Sequence, residues 1–240
     1  GYHTYWQNPG IVGMPTTIDW TLPKGFSAGP IQWPAPEEVD MSGHPAHGYH
    51  RDVLLLVEIT PPTSLDTEQV SLVADIRWMA CSTSCHPGRI RKTLSLPVSK
   101  TEPSSSHAER FHRARESLPR PREGWKSHWF SSADEQEITL VLSSPQRIAP
   151  PVDAYFFSTD GQISSSPPQK LQFTREGKFE LHLKRSEFSP EPNDELPGIL
   201  RLRSINGEST FIQLAAQRQT ISQRSPQPIN RKHATHNPSP

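Results

Sequence analysis

Twenty-six of the 240 residues are proline. They fall between short runs in which apolar and polar residues alternate. A chain broken that often cannot build long helices, because proline removes a backbone donor and clashes with the preceding turn. Alternation over four to eight residues, closed by Pro, Gly or Asn, is the pattern of half-buried strands. Tyr2–Trp6 ends at Asn8-Pro9-Gly10, Thr16–Trp20 at Pro23-Lys24-Gly25, and Pro30–Trp33 at Pro34-Ala35-Pro36. Arg51–Thr60 reads as the strongest strand and stops at Pro61-Pro62. Val70–Ala80 places Val70, Leu72, Ala74, Ile76 and Trp78 on one face, and Arg91–Leu96 closes the unit. The spacing predicts a β-sandwich over residues 1–99.

Serines 104–106 offer an N-cap for a helical pattern running to Leu118, and Pro119 and Pro121 stop it. Residues 100–124 are read as a helical connector. A second β-sandwich is expected over 125–217, with strands at Glu137–Leu142, Ala154–Phe157, Lys170–Phe173, Lys178–Lys184, Gly198–Ser204 and Ser209–Ala215. Asp160-Gly161 and Asn206-Gly207 mark its turns, the latter as a hairpin. Residues 218–240 are polar and read as a disordered tail. The fold class is therefore all-β: two tandem immunoglobulin-like sandwiches, a short helix between them and a tail.

Lys and Arg number 25 and so do Asp and Glu, which leaves no net field to attract nucleic acid or an anionic membrane. The longest apolar stretch, Val53–Val57, is far too short to span a bilayer. The chain opens on Gly1-Tyr2-His3 in strand-like material, and the expectation is that it is a fragment whose first strands are missing. No serine sits in a nucleophile elbow, no glycine loop fits a phosphate, and Glu37-Glu38 has no partner base.

Chemistry beyond packing concentrates at Cys81 and Cys85, the two cysteines of the chain. A disulfide needs Cα atoms about 4.4–6.8 Å apart, whereas four steps along a strand cover about 13 Å. A bridged pair therefore requires Ser82-Thr83-Ser84 to turn, at the end of the Val70–Ala80 strand and before the breaker Pro87-Gly88, on accessible ground. A loop of about five residues stabilises by roughly 2 kcal/mol, against roughly 4.7 for a hundred-residue loop. Such a bridge is a poor staple and an easy one to reduce. Redox exchange, a local staple and metal ligation are the three readings, with exchange preferred. His86 adjoins Cys85, and as an imidazolium it would favour the thiolate. His44, His47 and His50 recur every three residues and, with the cysteines, raise a copper or zinc site as a further reading. Their bland reading is as loop histidines. Trp6, Trp20, Trp33 and Trp78 are read as core or as lining around the cysteines.

Several segments carry a resemblance. Gly1–Gly10 (GYHTYWQNPG), Ile18–Pro23 (IDWTLP), Ile31–Pro36 (IQWPAP), Gly48-Tyr49 and Trp78–Gly88 occur in order over about the first hundred residues. Together they resemble the N-terminal periplasmic domain of DsbD-type thiol:disulfide interchange proteins, in the branch of copper-sensitivity suppressors. Ala154–Phe157 and Asp160–Ile163 resemble that branch's extra domain. The resemblance implies an exported, periplasmic sandwich whose cysteine pair passes electrons between thioredoxin-fold proteins, a component of a protein-disulfide reductase that needs no bound cofactor. It implies Cys81 and Cys85 as the couple, with Cys85 forming the mixed disulfides. It places Tyr2, His3 and Tyr5 on the aromatic strand beside the pair and Asp40–Gly48 at the loop that caps it. The family's transmembrane and thioredoxin-like parts have no counterpart in these residues and are expected beyond Pro240. The competing readings are a binding module with a structural disulfide and a copper-binding or copper-tolerance protein.

Overall fold

The computed structural model describes residues 1–99, 106–146, 148–174, 178–190 and 193–220. It is nearly all β, in two domains with one helix between them. In the first domain the strands are β1 (His3–Gly10), β2 (Thr17–Thr21), β3 (Ser27–Gln32), β4 (Glu37–Met41), β5 (His44–Tyr49), β6 (Leu56–Thr60), β7 (Gln69–Cys81) and β8 (Cys85–Pro97). Six form one sheet in the order β2-β7-β1-β5-β4, with β8 paired along β7, and β3 pairs with β6 as a second sheet. The alternating face of β7 behaves as its sequence requires, with Val70, Leu72 and Ala74 buried.

Three local readings in this domain need correction. The Arg51–Thr60 strand is regular only from Leu56, because Val53 leaves the sheet to pack against a cluster shared with the second domain. Asp40–Gly48 is not a loop. It is the β4–β5 hairpin, turned by Ser42 and Gly43 at positive φ (54° and 88°) and held by Gly43 N–H donating to Asp40 Oδ1 at 2.9 Å. Pro87-Gly88 does not break the chain. Both lie inside β8, a strand paired on one side alone, and an edge strand tolerates proline. Gly88 is needed there because a Cβ would lie 2.2 Å from the Trp78 indole.

The helix, α1 (Ala108–Glu116), is entered from His107 without a side-chain cap. The serine expected there is therefore not the capping residue, and Ser104 and Ser105 lie outside the described residues. Ala114 is buried, beside the segment Arg51–Leu54 of the first domain.

The second domain holds β9 (Lys126–Ser131), β10 (Glu137–Ser143), β11 (Asp153–Ser158), β12 (Lys170–Phe173), β13 (Phe179–Lys184), β14 (Glu195–Arg203) and β15 (Ser209–Arg218). They run in the order β11-β14-β15-β9-β10-β13-β12. The ends of this path are tied by Gln169, whose side chain bonds both the N–H and the carbonyl of Phe156. One continuous core results, around Trp129, Leu140, Phe156, Leu181 and Leu200. The hairpin at Asn206-Gly207 forms, with Gly207 at φ 83°. β9 was not anticipated. Arg218, expected to start the tail, ends β15 with its guanidinium 5.0 Å from the Trp129 ring centroid and paired with Glu135. Residues 221–240 of that tail lie outside the described residues.

Candidate functional site

Cys81 ends β7 and Cys85 begins β8, so the two face each other across the hairpin and are joined as a disulfide with Cα atoms 4.1 Å apart. Ser82, Thr83 and Ser84 make the turn, with Ser82 N–H donating to the Ser84 carbonyl at 3.0 Å. The two sulfurs are not equivalent. Cys81 is fully buried, and Cys85 is half-buried. The expectation of accessible ground holds for Cys85 alone, because strand β1 closes over Cys81.

Three strands supply that cover. Tyr5 of β1, Val39 of β4 and Ala46 of β5 form a buried cluster with Cys81, and Val12, Met41, Met79 and Cys85 pack against it. The β4–β5 hairpin packs against this cluster through Val39, just before the segment that the resemblance assigns to the cap, and Met41, within it. Neither residue stood out in the sequence. The signal was the Val39/Met41 alternation before the Ser42-Gly43 turn. Gly13, at φ 99°, lets the following loop cross the Tyr5 ring, where a Cβ would come within 2.2 Å.

His3 sits directly opposite Cys81 in the β1–β7 ladder. It is 2% exposed, and its Nε2 finds no hydrogen-bond partner among the described residues. Its ring meets Tyr5 and His50 edge-on, at centroid distances of 5.2 and 5.8 Å. Burial, and then the neighbouring His50, hold its pKa below the usual histidine range, with Asp40 opposing. The Tyr5 hydroxyl is likewise buried without a partner, and burial raises its pKa. Tyr2 is exposed and shares His86 with Ser84: His86 Nε2 lies 3.3 Å from the Tyr2 hydroxyl and 3.0 Å from Ser84 Oγ. Successive residues of a strand point to opposite faces, which directs His86 away from the side that Cys85 presents to Cys81.

The three histidines of the 44–50 run part company. His44 is exposed at the hairpin, His50 joins His3, and His47 is buried between the domains. His47 Nδ1 lies 3.2 Å from the Asn8 carbonyl and Nε2 lies 3.0 Å from the Tyr155 hydroxyl. A carbonyl only accepts, so Nδ1 carries the proton and Nε2 receives the Tyr155 O–H. Burial lowers the pKa of His47 to about 4. Among the described residues no three His, Cys, Asp or Glu side chains stand together as a metal site.

The strands that cover the cysteines also carry the domain interface. Alternation sends Tyr5, Val39 and Ala46 toward the pair and their neighbours Trp6, Glu38 and His47 toward the second domain. Trp6 packs with Tyr155, Phe157 and Ile199, and Glu38 takes an ion pair from Arg201 at 2.7 Å. β1 bulges after Tyr5, which frees Asn8 to donate to the Ser158 carbonyl at 2.6 Å. Ser165 of the second domain donates to the Pro45 carbonyl at 2.8 Å. None of this is visible in the sequence, where His47 reads as a loop residue.

Residues 1–97 match the family model for the N-terminal region of the thiol:disulfide interchange protein DsbD. No curated protein matches the chain. Among solved structures, the N-terminal periplasmic domain of ScsB from Proteus mirabilis is similar, with a TM-score of 0.56 and 19% identity over 90% of this chain and 83% of that one. The likeness extends through both domains, and at this identity it speaks for the fold. Residues 1–97 thus carry the DsbD N-terminal pattern, which includes the cysteine pair, inside a two-domain β fold similar to that of the ScsB domain.

Proposed function

We propose that this protein is a thiol:disulfide interchange module that passes electron pairs through Cys81 and Cys85 to and from thioredoxin-fold partners. The observation that carries the reading is the asymmetry of the disulfide. Cys85 is half-buried and keeps some exposure, while Cys81 is sealed beneath Tyr5, Val39 and Ala46. Exchange needs one sulfur for the mixed disulfide and a second, held in reach, to resolve it. The buried sulfur is shielded from the partner and kept for resolution. The ScsB domain is periplasmic, and the proposal places this chain in the same compartment, where thiols and disulfides exchange. Among the described residues no helix is long and apolar enough to cross a membrane. Copper tolerance enters this reading only through the likeness to ScsB.

Trapping tests it. Cys81→Ser should accumulate a mixed disulfide with an oxidised thioredoxin-fold protein through Cys85, and Cys85→Ser should not. Equal trapping by both variants, or by neither, would count against the assignment. The second reading is a binding module with a fixed staple, and the burial of Cys81 favours it. A bridge that resists dithiothreitol in the native protein would support that reading instead.

A further inference from the structure

Breaking the disulfide leaves a charge problem that the fold must solve. When a partner thiolate attacks Cys85 Sγ, the electron pair of the S–S bond falls on Cys81 Sγ. That sulfur has no access to water, and an unpaired anion is costly in an apolar surround. In the closing direction the difficulty is reversed, since burial disfavours the thiolate that Cys81 must become before it attacks. Both directions need a proton carrier within the buried cluster.

Few groups there can serve. The elements packed around Cys81 bring Tyr5 and His3 from β1, Asp40 from β4 and His50 just after β5, with the Gly1 amino group nearby. Of these, His3 is opposite Cys81 in the ladder, on the same face as Tyr5, and buried with its Nε2 unpartnered among the described residues. A buried polar atom left without a partner costs stability, and its retention calls for a reason. Burial keeps the imidazole neutral, hence basic in form. Its neighbour His50 is exposed and in ring contact with it, and so connects the site to water.

We infer that His3 carries the proton of the Cys81 thiol and that His50 passes this proton to solvent. The inference rests on the interchange reading above. During closure, His3 Nε2 takes the proton from Cys81 S–H. The thiolate attacks Cys85 Sγ of the mixed disulfide, the Cys81–Cys85 bond forms, and the bond between Cys85 and the partner breaks. The partner sulfur leaves with the electron pair. The partner is reduced, the cysteine pair is oxidised, and the proton on His3 leaves through His50 to water. Opening runs the same steps backward, with His3 returning the proton to Cys81.

A chromogenic aromatic disulfide mixed with the reduced protein separates the two sulfurs. Its first thiolate is released when Cys85 attacks, in a phase that depends on reagent concentration. Its second is released when Cys81 closes the bridge, in a phase that does not. His3→Phe should leave the first phase unchanged and slow the second about 100-fold at neutral pH, the range of a lost general base. Its closure rate should then climb tenfold per pH unit, because Cys81 must ionise unaided, whereas the wild-type rate levels off once His3 is neutral. His50→Gln should slow closure less than His3→Phe does. An unchanged second phase and pH profile in His3→Phe would overturn the inference. NMR of the wild-type protein decides the same point without a substitution: the His3 Nε2 resonance should shift on reduction of the pair, and one that stays put would equally overturn it. A wild-type pair that never shows the second phase would instead refute the interchange reading itself.

Discussion

The second domain gathers most of its buried residues into one core, from Trp129 through Phe156 to Leu214. The first has no such single core: it holds one cluster at the cysteines and another that it shares with its neighbour. Polar groups do not differ in number: among the described residues each domain buries three polar atoms without a partner, at His3, Tyr5 and Trp6 in the first and at His182, Arg201 and Ser204 in the second. They differ in place. His3 and Tyr5 stand on the strand beside Cys81, where the reactive bond lies, and sites of function are where such departures are expected. The second domain also backs the first, since the strands that cover Cys81 lean on it through Trp6, Glu38 and His47.

Truncation should sharpen this contrast most. Phe156→Ala, at a fully buried position of the single core, should cost about 3–5 kcal/mol in chemical denaturation. Acid should act next, and on the interface. Unfolded histidine titrates near 6.5 and folded His47 at about 4. The native state therefore refuses a proton that the unfolded chain accepts. Stability should be intact above the unfolded value and fall as pH drops from there toward 4, by about 3 kcal/mol in all. His47→Gln should flatten that slope in melts recorded across this range; an unaltered slope would remove His47 from the account. Within the hairpin, Gly88→Ala should cost about 1–3 kcal/mol, because the Trp78 ring must move. Smallest of all, Leu94→Ala on the exposed edge strand β8 should stay within about 0.5 kcal/mol. A larger loss there would mean that β8 is covered in solution.

Much of this was legible in the residues. Alternation located β7 and most strands of the second domain, and backbone reach requires the turn between Cys81 and Cys85 once the two are bridged. The β4–β5 hairpin was not legible, because Gly43-His44-Pro45-Ala46-His47 looks like loop composition until its alternate residues are seen to serve two different partners. Pro87-Gly88 misled for a related reason: whether proline breaks a strand depends on whether that strand has a second neighbour, which is a tertiary fact. The same holds for His3 and Cys81, far apart in sequence and adjacent through ladder register. Cys85 could be placed on a strand end from its neighbours, but its greater exposure relative to Cys81 needed β1, β4 and β5 in position.

The reduction potential of the Cys81–Cys85 pair tests the central claim most directly. Equilibration of the native protein in glutathione and thioredoxin buffers, read by alkylation, measures it. A working interchange couple should lie between about −270 and −120 mV, the span of thiol-exchange proteins, and should exchange rapidly with a thioredoxin-fold protein. A potential below about −300 mV, with no exchange, would make the bridge a structural staple and contradict the account.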